Sequence, residues 1–189
     1  ILGQVEVALR RDRSSEEYQQ VLETVQKRTT HLSRMVESLL FLARANAESQ
    51  IPSLERLDLA VWLPQRLEKW SEHSRFREIS LQITSPESLF VDSHSALLGE
   101  LLDILLDNAC KYSEPGTSIT IQADETESSV WVKVKDNGCG FGNDEIASMF
   151  EPFFRSPETR RRGIDGVGLG LSIAKRLAKV FACDLTFES

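Results

Sequence analysis

The chain has 189 residues, of which 41% are hydrophobic, and a formal net charge of −7. The length and the hydrophobic fraction indicate one folded domain with a smaller appendage. The acidic balance argues against a general nucleic-acid binder, which would present a basic face. The three cysteines, Cys110, Cys139 and Cys183, lack the spacing of a disulfide framework or of a structural zinc site, and they favour a reducing compartment.

The sequence also lacks the patterns of membrane-spanning and targeting segments. No run of apolar residues has the length that a bilayer span requires, and the N-terminus lacks the pattern of a signal peptide. The chain opens on Ile1-Leu2-Gly3 without a methionine. We therefore expect it to be a piece of a longer protein.

The first part of the chain is expected to be an all-α helical hairpin, with one domain over 1–54 and a second over 55–189. Its spacing predicts a short helix over 1–12, a turn, and a long helix over 15–47 that begins at Ser14 or Ser15. The apolar residues of the long helix are close to a heptad seam: Tyr18, Val21, Leu22, Val25, Leu32, Val36, Leu39, Leu40 and Ala43. One hairpin cannot bury this seam, so it either pairs with a second hairpin in a homodimer or packs on the following domain.

Residues 55–189 predict a two-layer α/β sandwich, with a mixed sheet packed on three helices. Strands are expected over 57–59, 79–83, 89–91, 118–123, 129–135 and 184–188. Long helices are expected over 60–76, 93–112 and 169–181, with a short one over 144–149. The helix over 93–112 is expected to bury Leu98, Leu101, Leu102, Leu105 and Ala109.

Polar residues group near the end of that helix. Asn108 shares a helical stripe with Lys111 and Tyr112, three and four residues further on. An amide oxygen is a suitable ligand for Mg²⁺, and a lysine can neutralise phosphate charge. A solvated helix end is the competing interpretation of the same residues.

A glycine-bearing segment follows the strand over 129–135. Gly138 and Gly140 permit positive φ and close approach of the backbone to a ligand. The carboxylate of Asp136, at the strand end, can accept a hydrogen bond from an exocyclic amine such as that of adenine. An ordinary turn would use the same residue types.

Two further segments complete the pattern. The run Phe150-Glu151-Pro152-Phe153-Phe154-Arg155 suggests a local hydrophobic anchor from which Arg155 could face phosphate. Gly166, Gly168 and Gly170 lead directly into a helix, whose free N–H groups and dipole suit a phosphate. This loop matches neither the dinucleotide fingerprint nor the GxxxxGK[ST] loop.

Taken in this order, the four segments resemble the asparagine, first glycine, phenylalanine and second glycine boxes of the histidine-kinase branch of the GHKL ATPase superfamily. The matching stretches are LLDNACKYS, DNGCGF, FEPFFR and GVGLGLSIAKRLA. ILGQVEVALRR and HLSRMVESLLFLAR similarly resemble the part of a kinase dimerisation domain that follows its phosphoacceptor histidine. The resemblance implies a Bergerat-type ATP-binding fold in the core of a sensor histidine kinase. Such a kinase of a two-component system transfers the γ-phosphoryl group of Mg-ATP to a histidine, for relay to a response-regulator aspartate.

The resemblance also implies the site residues. Asp136 would bind the adenine amine, Asn108 would hold Mg²⁺, and residues 155–166 would form a lid over ATP. The implied ATP-binding set is Asn108, Lys111, Tyr112, Asp136, Gly138, Gly140, Phe141, Arg155, Gly166, Gly168, Leu169 and Gly170. The implied partners are a second copy through the hairpin and a response-regulator receiver domain, with no nucleic acid. The implied location is cytoplasmic, as the inner part of a membrane-anchored receptor.

The sequence departs from the family pattern at three places. The phosphoacceptor box is missing, and His31, His73 and His94 are expected to be surface or capping residues. We therefore expect no catalytic residue in this chain, which should bind ATP without phosphorylating itself at the usual site. Ile104 stands where the asparagine box normally carries a second asparagine, and Phe181-Ala182-Cys183 replaces a pair of glycines, where we expect a locally altered turn.

Two alternative functions remain open. Ile104 favours a non-catalytic dimeric signalling module that binds nucleotide as a conformational switch. The third candidate is another GHKL-type ATPase, such as a chaperone, a topoisomerase subunit or an anti-sigma serine kinase. The amphipathic hairpin argues against this third candidate, as does an asparagine box that lacks the acidic residue typical of the ATP-hydrolysing branch.

Overall fold

The computed structural model describes residues 14–26, 29, 54–84, 88–142, 144–164, 166–180 and 182–188. The chain divides into two compact units, Ile1–Ser49 and Gln50–Ser189. No helix within the described ranges combines the length and the apolar character that crossing a membrane would require.

In the first unit, residues 15–26 are helical. The helix begins with a capping box in which the Ser14 backbone N–H donates to Glu17 Oε2 (3.0 Å) and the Glu17 backbone N–H donates to Ser14 Oγ (3.2 Å). This is the predicted start of the long helix. The predicted helix over 1–12, and the course of the long helix beyond residue 29, lie outside the described residues.

The second unit contains five strands and four helices within the described residues. The strands are β1 (Glu55–Asp58), β2 (Ile79–Ile83), β3 (Phe90–Ser93), β4 (Ile119–Glu125) and β5 (Val130–Lys135). The helices are α1 (Leu59–Glu68), α2 (Ser95–Tyr112), α3 (Pro157–Arg161) and α4 (Gly170–Val180), and a 3₁₀ turn spans Phe76–Glu78.

The main sheet has the order β2-β4-β5 and is mixed. β2 and β4 are parallel, so the chain crosses over between them through β3 and α2, whereas β4 and β5 are antiparallel. β1 and β3 form a separate antiparallel pair. Because α2 leads into β4, and Lys135 at the end of β5 pairs with Thr120 at the start of β4, the end of α2 and the segment after β5 lie at the same edge of the domain.

The core lies between the β2-β4-β5 sheet and the helices α1 and α2. Its fully buried side chains include Leu63, Leu89, Leu106, Ile119 and Ile121. In β4, Ile119, Ile121 and Ala123 are all buried, as the alternation of apolar residues predicts. The predicted class, an α/β sandwich with a mixed sheet packed on helices, is confirmed.

The buried face of α2 is rotated slightly from the predicted one. Leu101, Leu102 and Ala109 are buried as expected, but Leu106 is completely buried whereas Leu105 is only half-buried. Both leucines are compatible with a period of 3.6, so the sequence did not distinguish between them. Leu98 is partly buried and packs against the core.

The predicted helix over 60–76 is too long. α1 ends at Glu68, and the chain continues in turns in which the Trp70 N–H bonds to the Leu67 carbonyl at 2.9 Å. The side chain of Trp70 then turns towards α2, where its Nε1 donates to Asp103 Oδ1 at 3.0 Å. This tertiary contact outweighs the local helical preference.

Two predicted elements near the C-terminus are also wrong. Residues 144–150 form turns instead of a helix, and Ser148 N–H bonds to the Glu145 carbonyl three residues back, at 3.0 Å. Residues 183–188 form no strand. Side-chain contacts hold that segment instead. The Phe187 ring packs edge-on against Phe141, with 5.3 Å between the ring centroids, and Glu188 forms an ion pair with Lys133 of β5.

Two of the histidines have partly different roles from the expected ones. His73 is partly buried and accepts a hydrogen bond at Nδ1 from the Arg75 backbone N–H at 3.3 Å. His94 occupies the N-cap position of α2 but makes no side-chain capping bond, and its buried Nδ1 has no hydrogen-bond partner among the described residues. His31 lies outside the described residues.

The turn after α4 uses a left-handed residue that is not glycine. Ala182 has φ 52°, and its N–H bonds to the Lys179 carbonyl at 3.2 Å. Glycine adopts this conformation without the steric conflict that a Cβ introduces. The backbone therefore keeps a glycine-like conformation at a position where the resemblance leads us to expect glycine.

Candidate functional site

Asn108, in the last turns of α2, faces the beginning of α4. A Cβ added to Gly170 would lie 3.5 Å from both Asn108 Oδ1 and Asn108 Nδ2, so the two helices approach closely here. Asn108 is half-buried, and its amide makes no hydrogen bond to any described residue. The amide is thus available to a ligand between α2 and α4.

Ile104 lies one turn before Asn108 and faces the same helix start. Its Cγ2 would be 3.4 Å from a Cβ at Gly170. The departure from the asparagine box therefore places an aliphatic group on the stripe that carries Asn108. Lys111 points elsewhere, because its ammonium forms an ion pair with Asp107 on the same helix.

The end of α2 meets the first glycine segment. Ser113 and Gly138 form an antiparallel bridge, and a Cβ at Gly138 would lie 3.1 Å from the Tyr112 carbonyl oxygen. The Gly138 N–H donates to Asp136 Oδ1 at 2.7 Å. This bond fixes the Asp136 carboxylate in a tight turn, and Asp136 as a whole is exposed, as an amine acceptor requires.

The remaining residues of the first glycine segment have mixed roles. Gly140 has φ 64°, the positive φ that its sequence position predicts and that a side chain would strain. The Phe141 ring contacts Phe187, so it packs on the C-terminal segment. Cys139 is exposed and follows Gly138, which bridges to Ser113 at the end of α2.

The phenylalanine segment holds the second glycine segment through the backbone. The Phe153 N–H donates to the Gly168 carbonyl at 2.9 Å, and Phe153 (φ 66°) and Gly168 (φ 78°) are both left-handed. A Cβ at Gly168 would lie 2.8 Å from the Phe153 carbonyl carbon and closer still to the Phe154 carbonyl oxygen. The Phe153 side chain is 60% exposed. Phe153 therefore meets the second glycine segment through its main chain, whereas the half-buried Phe150 ring lies 4.7 Å from the Lys175 ammonium of α4.

Tyr112, Arg155 and Gly166 come together beside this contact. A Cβ at Gly166 would lie 3.8 Å from Tyr112 Oη. Burial raises the pKa of the Tyr112 hydroxyl, and the nearby positive charge of Arg155 opposes part of this rise. Arg155 Nη2 donates to the Ile164 carbonyl, whereas its buried Nε has no partner among the described residues.

The predicted lid is partly ordered around α3. Ser156 caps this short helix by accepting from the Thr159 N–H at 3.2 Å, and both residues are buried. Arg162, just after the helix, forms an ion pair with Glu114, in the loop that follows α2. The lid segment therefore contacts the asparagine-bearing end of α2.

Short contacts join the predicted segments in pairs: Asn108 lies beside Gly170, the Tyr112 hydroxyl beside Gly166, the Tyr112 carbonyl beside Gly138, and Gly168 beside the Phe154 carbonyl. The family model for histidine kinase-, DNA gyrase B- and HSP90-like ATPases matches residues 93–189. The chain belongs to this ATPase family. Leu169, which lies between Gly168 and Gly170, is also one of the predicted residues, and its buried side chain anchors the start of α4.

Relatives of this ATPase domain are sensor histidine kinases. The sensor histidine kinase YkoH of Bacillus subtilis (strain 168) is 33% identical over 170 residues, which cover 89% of this chain and 36% of YkoH. The sensor histidine kinase CusS of Escherichia coli O157:H7 is 29% identical over 177 residues, which cover 94% of this chain and 36% of CusS. The chain thus spans about a third of the length of these relatives.

Solved structures agree with the fold of the ATPase domain. The crystal structure of full-length ShkA in complex with AMPPNP matches 91% of this chain and 35% of ShkA. The match has a TM-score of 0.69 and 27% sequence identity. The predicted family, a GHKL-type histidine kinase catalytic domain, is confirmed by these comparisons.

Sequence reasoning missed two residues that shape the edge of the ATPase site. Arg75, which is 9% exposed, donates hydrogen bonds to backbone carbonyls at the end of α2. Glu78 binds the Arg75 guanidinium and also accepts from the Gly116 N–H at 3.0 Å. An Arg–Glu pair three residues apart is a weak signal, because the carbonyls that Arg75 binds are distant in the sequence.

The donor set for a divalent ion is limited. Among the described residues, no group of three or more histidine, cysteine or acidic side chains could hold a metal ion. Asn108 Oδ1 is an oxygen ligand of the kind that Mg²⁺ accepts, and Mg²⁺ commonly completes its shell with water and substrate phosphates. The residues at this site therefore fit a metal that arrives with a nucleotide.

Proposed function

We propose that this chain binds ATP in the cleft between α2 and α4, as the catalytic domain of a sensor histidine kinase. The observation that carries the proposal is that both glycine segments meet the end of α2, while the phenylalanine segment is bonded to the second of them. Asn108 lies beside Gly170, Tyr112 beside Gly166, and the Tyr112 carbonyl beside Gly138. Membership of the ATPase family and the kinase relatives support the same conclusion.

Each end of the nucleotide would meet suitable chemistry. The free oxygen of Asp136 would accept a hydrogen bond from the adenine amine, with Gly138 and Gly140 allowing close approach. The start of α4, with Gly166, Gly168 and Gly170 before it, would bind phosphate through backbone N–H groups. The buried Nε of Arg155 has no hydrogen-bond partner within the described part of the chain and supports a phosphate contact there.

Mg²⁺ would be held by Asn108 together with the phosphates, and it would neutralise their charge. The role of this chain's residues is then to position the γ-phosphoryl group, because phosphoryl transfer depends mainly on positioning and charge stabilisation. Lys111 is ion-paired with Asp107, so its contribution to ATP binding would require that pair to open.

For the whole protein, we propose transfer of the γ-phosphoryl group to a histidine outside this chain, and relay to the aspartate of a response-regulator receiver domain. Homodimerisation through the helical hairpin would bring the ATP-binding domain and the phosphoacceptor histidine together. The relatives YkoH and CusS, both sensor histidine kinases, support this assignment. A cytoplasmic position within a membrane-anchored receptor belongs to the same proposal.

Calorimetric titration of the 189-residue chain with ADP and ATP, with and without Mg²⁺, tests the proposed site. We expect wild-type binding, with loss of nucleotide binding in Asp136→Asn. Asp124→Asn is the matched control, because Asp124 pairs with Trp131 at the opposite end of β5 and likewise accepts a backbone N–H bond. No binding by the wild-type chain would contradict the proposal, and equal loss in both variants would contradict the role of Asp136.

Ile104 favours a second candidate, a non-catalytic module that binds nucleotide as a switch. Its aliphatic side chain lies on the stripe that faces the start of α4. Ile104→Asn restores the polar group that the family normally carries. If Mg²⁺ strengthens ATP binding in Ile104→Asn but not in the wild type, the switch is favoured; equal Mg²⁺ dependence favours the kinase.

A further inference from the structure

Arg75, in the connection between α1 and β2, binds the C-terminal end of α2. Its Nη1 donates to the Cys110 carbonyl and to the Ser113 carbonyl (2.9 Å), and its Nη2 donates to the Glu114 carbonyl at 2.9 Å. Its Nε donates to Glu78 Oε2 at 2.6 Å. A buried guanidinium thus donates to the carbonyl of Cys110, in the last turn of α2, and to the carbonyls of Ser113 and Glu114 just beyond the helix.

This arrangement is favourable on electrostatic grounds. The C-terminal end of a helix carries partial negative charge, which a cation stabilises. The carboxylate of Glu78 compensates the charge of Arg75, and its Oε1 reaches the Gly116 N–H. Together Arg75 and Glu78 hold the segment 113–116 at both ends, and we name these two residues the α2 clasp.

The segment that the α2 clasp holds contacts the first glycine segment, which carries the proposed adenine acceptor. Ser113 forms a bridge to Gly138, and Gly138 in turn fixes the Asp136 carboxylate. Asn108 and Tyr112 lie on the other side of the same helix end. A shift of the segment 113–116 would therefore change the spacing between the adenine end of the cleft and its phosphate end.

We propose that Arg75, supported by Glu78, is a positioning residue that sets nucleotide affinity without touching the nucleotide. The inference rests on the proposed function, because it takes the cleft between α2 and α4 as the ATP site. Neither residue belongs to the four sequence boxes, since both lie in the connection between α1 and β2.

Three variants of the 189-residue chain test the α2 clasp. Arg75→Met removes the donors, Arg75→Lys keeps the charge but loses the fork of donors, and Glu78→Gln keeps the shape but loses the negative charge. Arg66→Met is the matched control. Arg66 also links a distant element to α2, through Asp103, but at the middle of the helix and away from the cleft.

Two quantities are measured for each variant at a temperature well below its unfolding midpoint. They are the Kd for ADP by calorimetry and the amide NMR shift of Gly138. We expect ADP binding to weaken about tenfold in Arg75→Met, equivalent to about 1.4 kcal/mol, and about threefold in Arg75→Lys. Arg66→Met should lose stability while keeping the wild-type Kd and the wild-type Gly138 shift.

The outcomes separate the two proposals. If Arg75→Met does not fold, the test rests on Arg75→Lys and Glu78→Gln. An unchanged Kd for ADP in both of these variants overturns the inference. An equal loss of affinity in Arg66→Met also overturns it, because a general loss of stability would then explain the effect. Wild-type binding with unaffected Arg75 variants refutes the positioning role alone, whereas no wild-type binding refutes the proposed function as well.

Discussion

Replacing Gly168 by alanine tests the close contact between the phenylalanine and second glycine segments. Gly168 has φ 78°, and an added Cβ would lie 2.8 Å from the Phe153 carbonyl carbon. The backbone of residues 153 and 154 cannot move aside as a flexible side chain could. We therefore expect the substitution to break the hydrogen bond from Phe153 N–H to the Gly168 carbonyl.

The loss of stability has three contributions. A left-handed conformation costs a residue with a Cβ about 1–2 kcal/mol. Loss of the backbone hydrogen bond adds about 1 kcal/mol, and imperfect repacking adds a further fraction. We expect Gly168→Ala to lower the free energy of unfolding by about 3 kcal/mol, a large part of the stability of an ordinary domain.

Gly163→Ala is the matched control. Gly163 has φ 63°, but no atom lies within 4 Å of its added Cβ, so only the conformational cost applies. We expect Gly163→Ala to cost about 1 kcal/mol. The difference of about 2 kcal/mol between the variants therefore isolates the steric conflict with the phenylalanine segment.

Urea unfolding followed by tryptophan fluorescence measures both variants. The three tryptophans, Trp62, Trp70 and Trp131, all lie in the unit Gln50–Ser189, so the signal reports on the unit that contains Gly168. With a typical slope of about 1–3 kcal/mol per molar urea, the two midpoints should differ by roughly 1 M. Equal stability of the two variants, within about 0.5 kcal/mol, would refute the contact.

Three further predictions concern stability. Ala182→Gly should stabilise the chain by about 1 kcal/mol in urea unfolding, because it removes left-handed strain at φ 52°; a loss of stability would contradict that strain. Leu106→Ala should cost about 3 kcal/mol and Leu105→Ala less than half of that, since only Leu106 is completely buried; equal costs would contradict the observed face of α2. Backbone and Arg75 hydrogen bonds lower the pKa of Glu78 below its ordinary value of 4.5, so ionised Glu78 stabilises the fold above that pH. The stability difference between the wild type and Glu78→Gln should therefore narrow as the pH falls from 4.5 through the folded pKa, and a difference independent of pH would contradict it.

The elements that the sequence predicted well are those whose pattern and surroundings agree. In β4, strict alternation of apolar residues matches a strand with one buried face, and the structure buries Ile119, Ile121 and Ala123. α2 has the predicted end because Tyr112 is followed by Glu114-Pro115-Gly116, which cannot continue a helix. The buried face of α2 includes Leu106 in place of the predicted Leu105. This difference depends on tertiary packing, because both leucines fit the helical periodicity of the sequence.

The elements that were predicted wrongly are those whose course depends on distant residues. Residues 69–76 have a helical pattern, yet Trp70 and Arg75 reach α2 only because the helix stops at Glu68. Residues 184–188 alternate as a strand does, but ion pairing and ring packing hold the segment where no ladder forms. Local patterns carry no information about such partners.

The site shows the same division between local chemistry and spatial arrangement. The residue types at Asn108, Asp136 and the glycines indicate which groups could meet a nucleotide, because each motif is contained in a few consecutive residues. The distances between the motifs depend on other contacts. The Gly168–Phe153 backbone bond sets one of them, and the α2 clasp of Arg75 and Glu78 holds another. A substitution at Arg75 should therefore alter nucleotide affinity while every motif residue is retained, and a substitution at Asp136 should abolish adenine binding while both contacts remain.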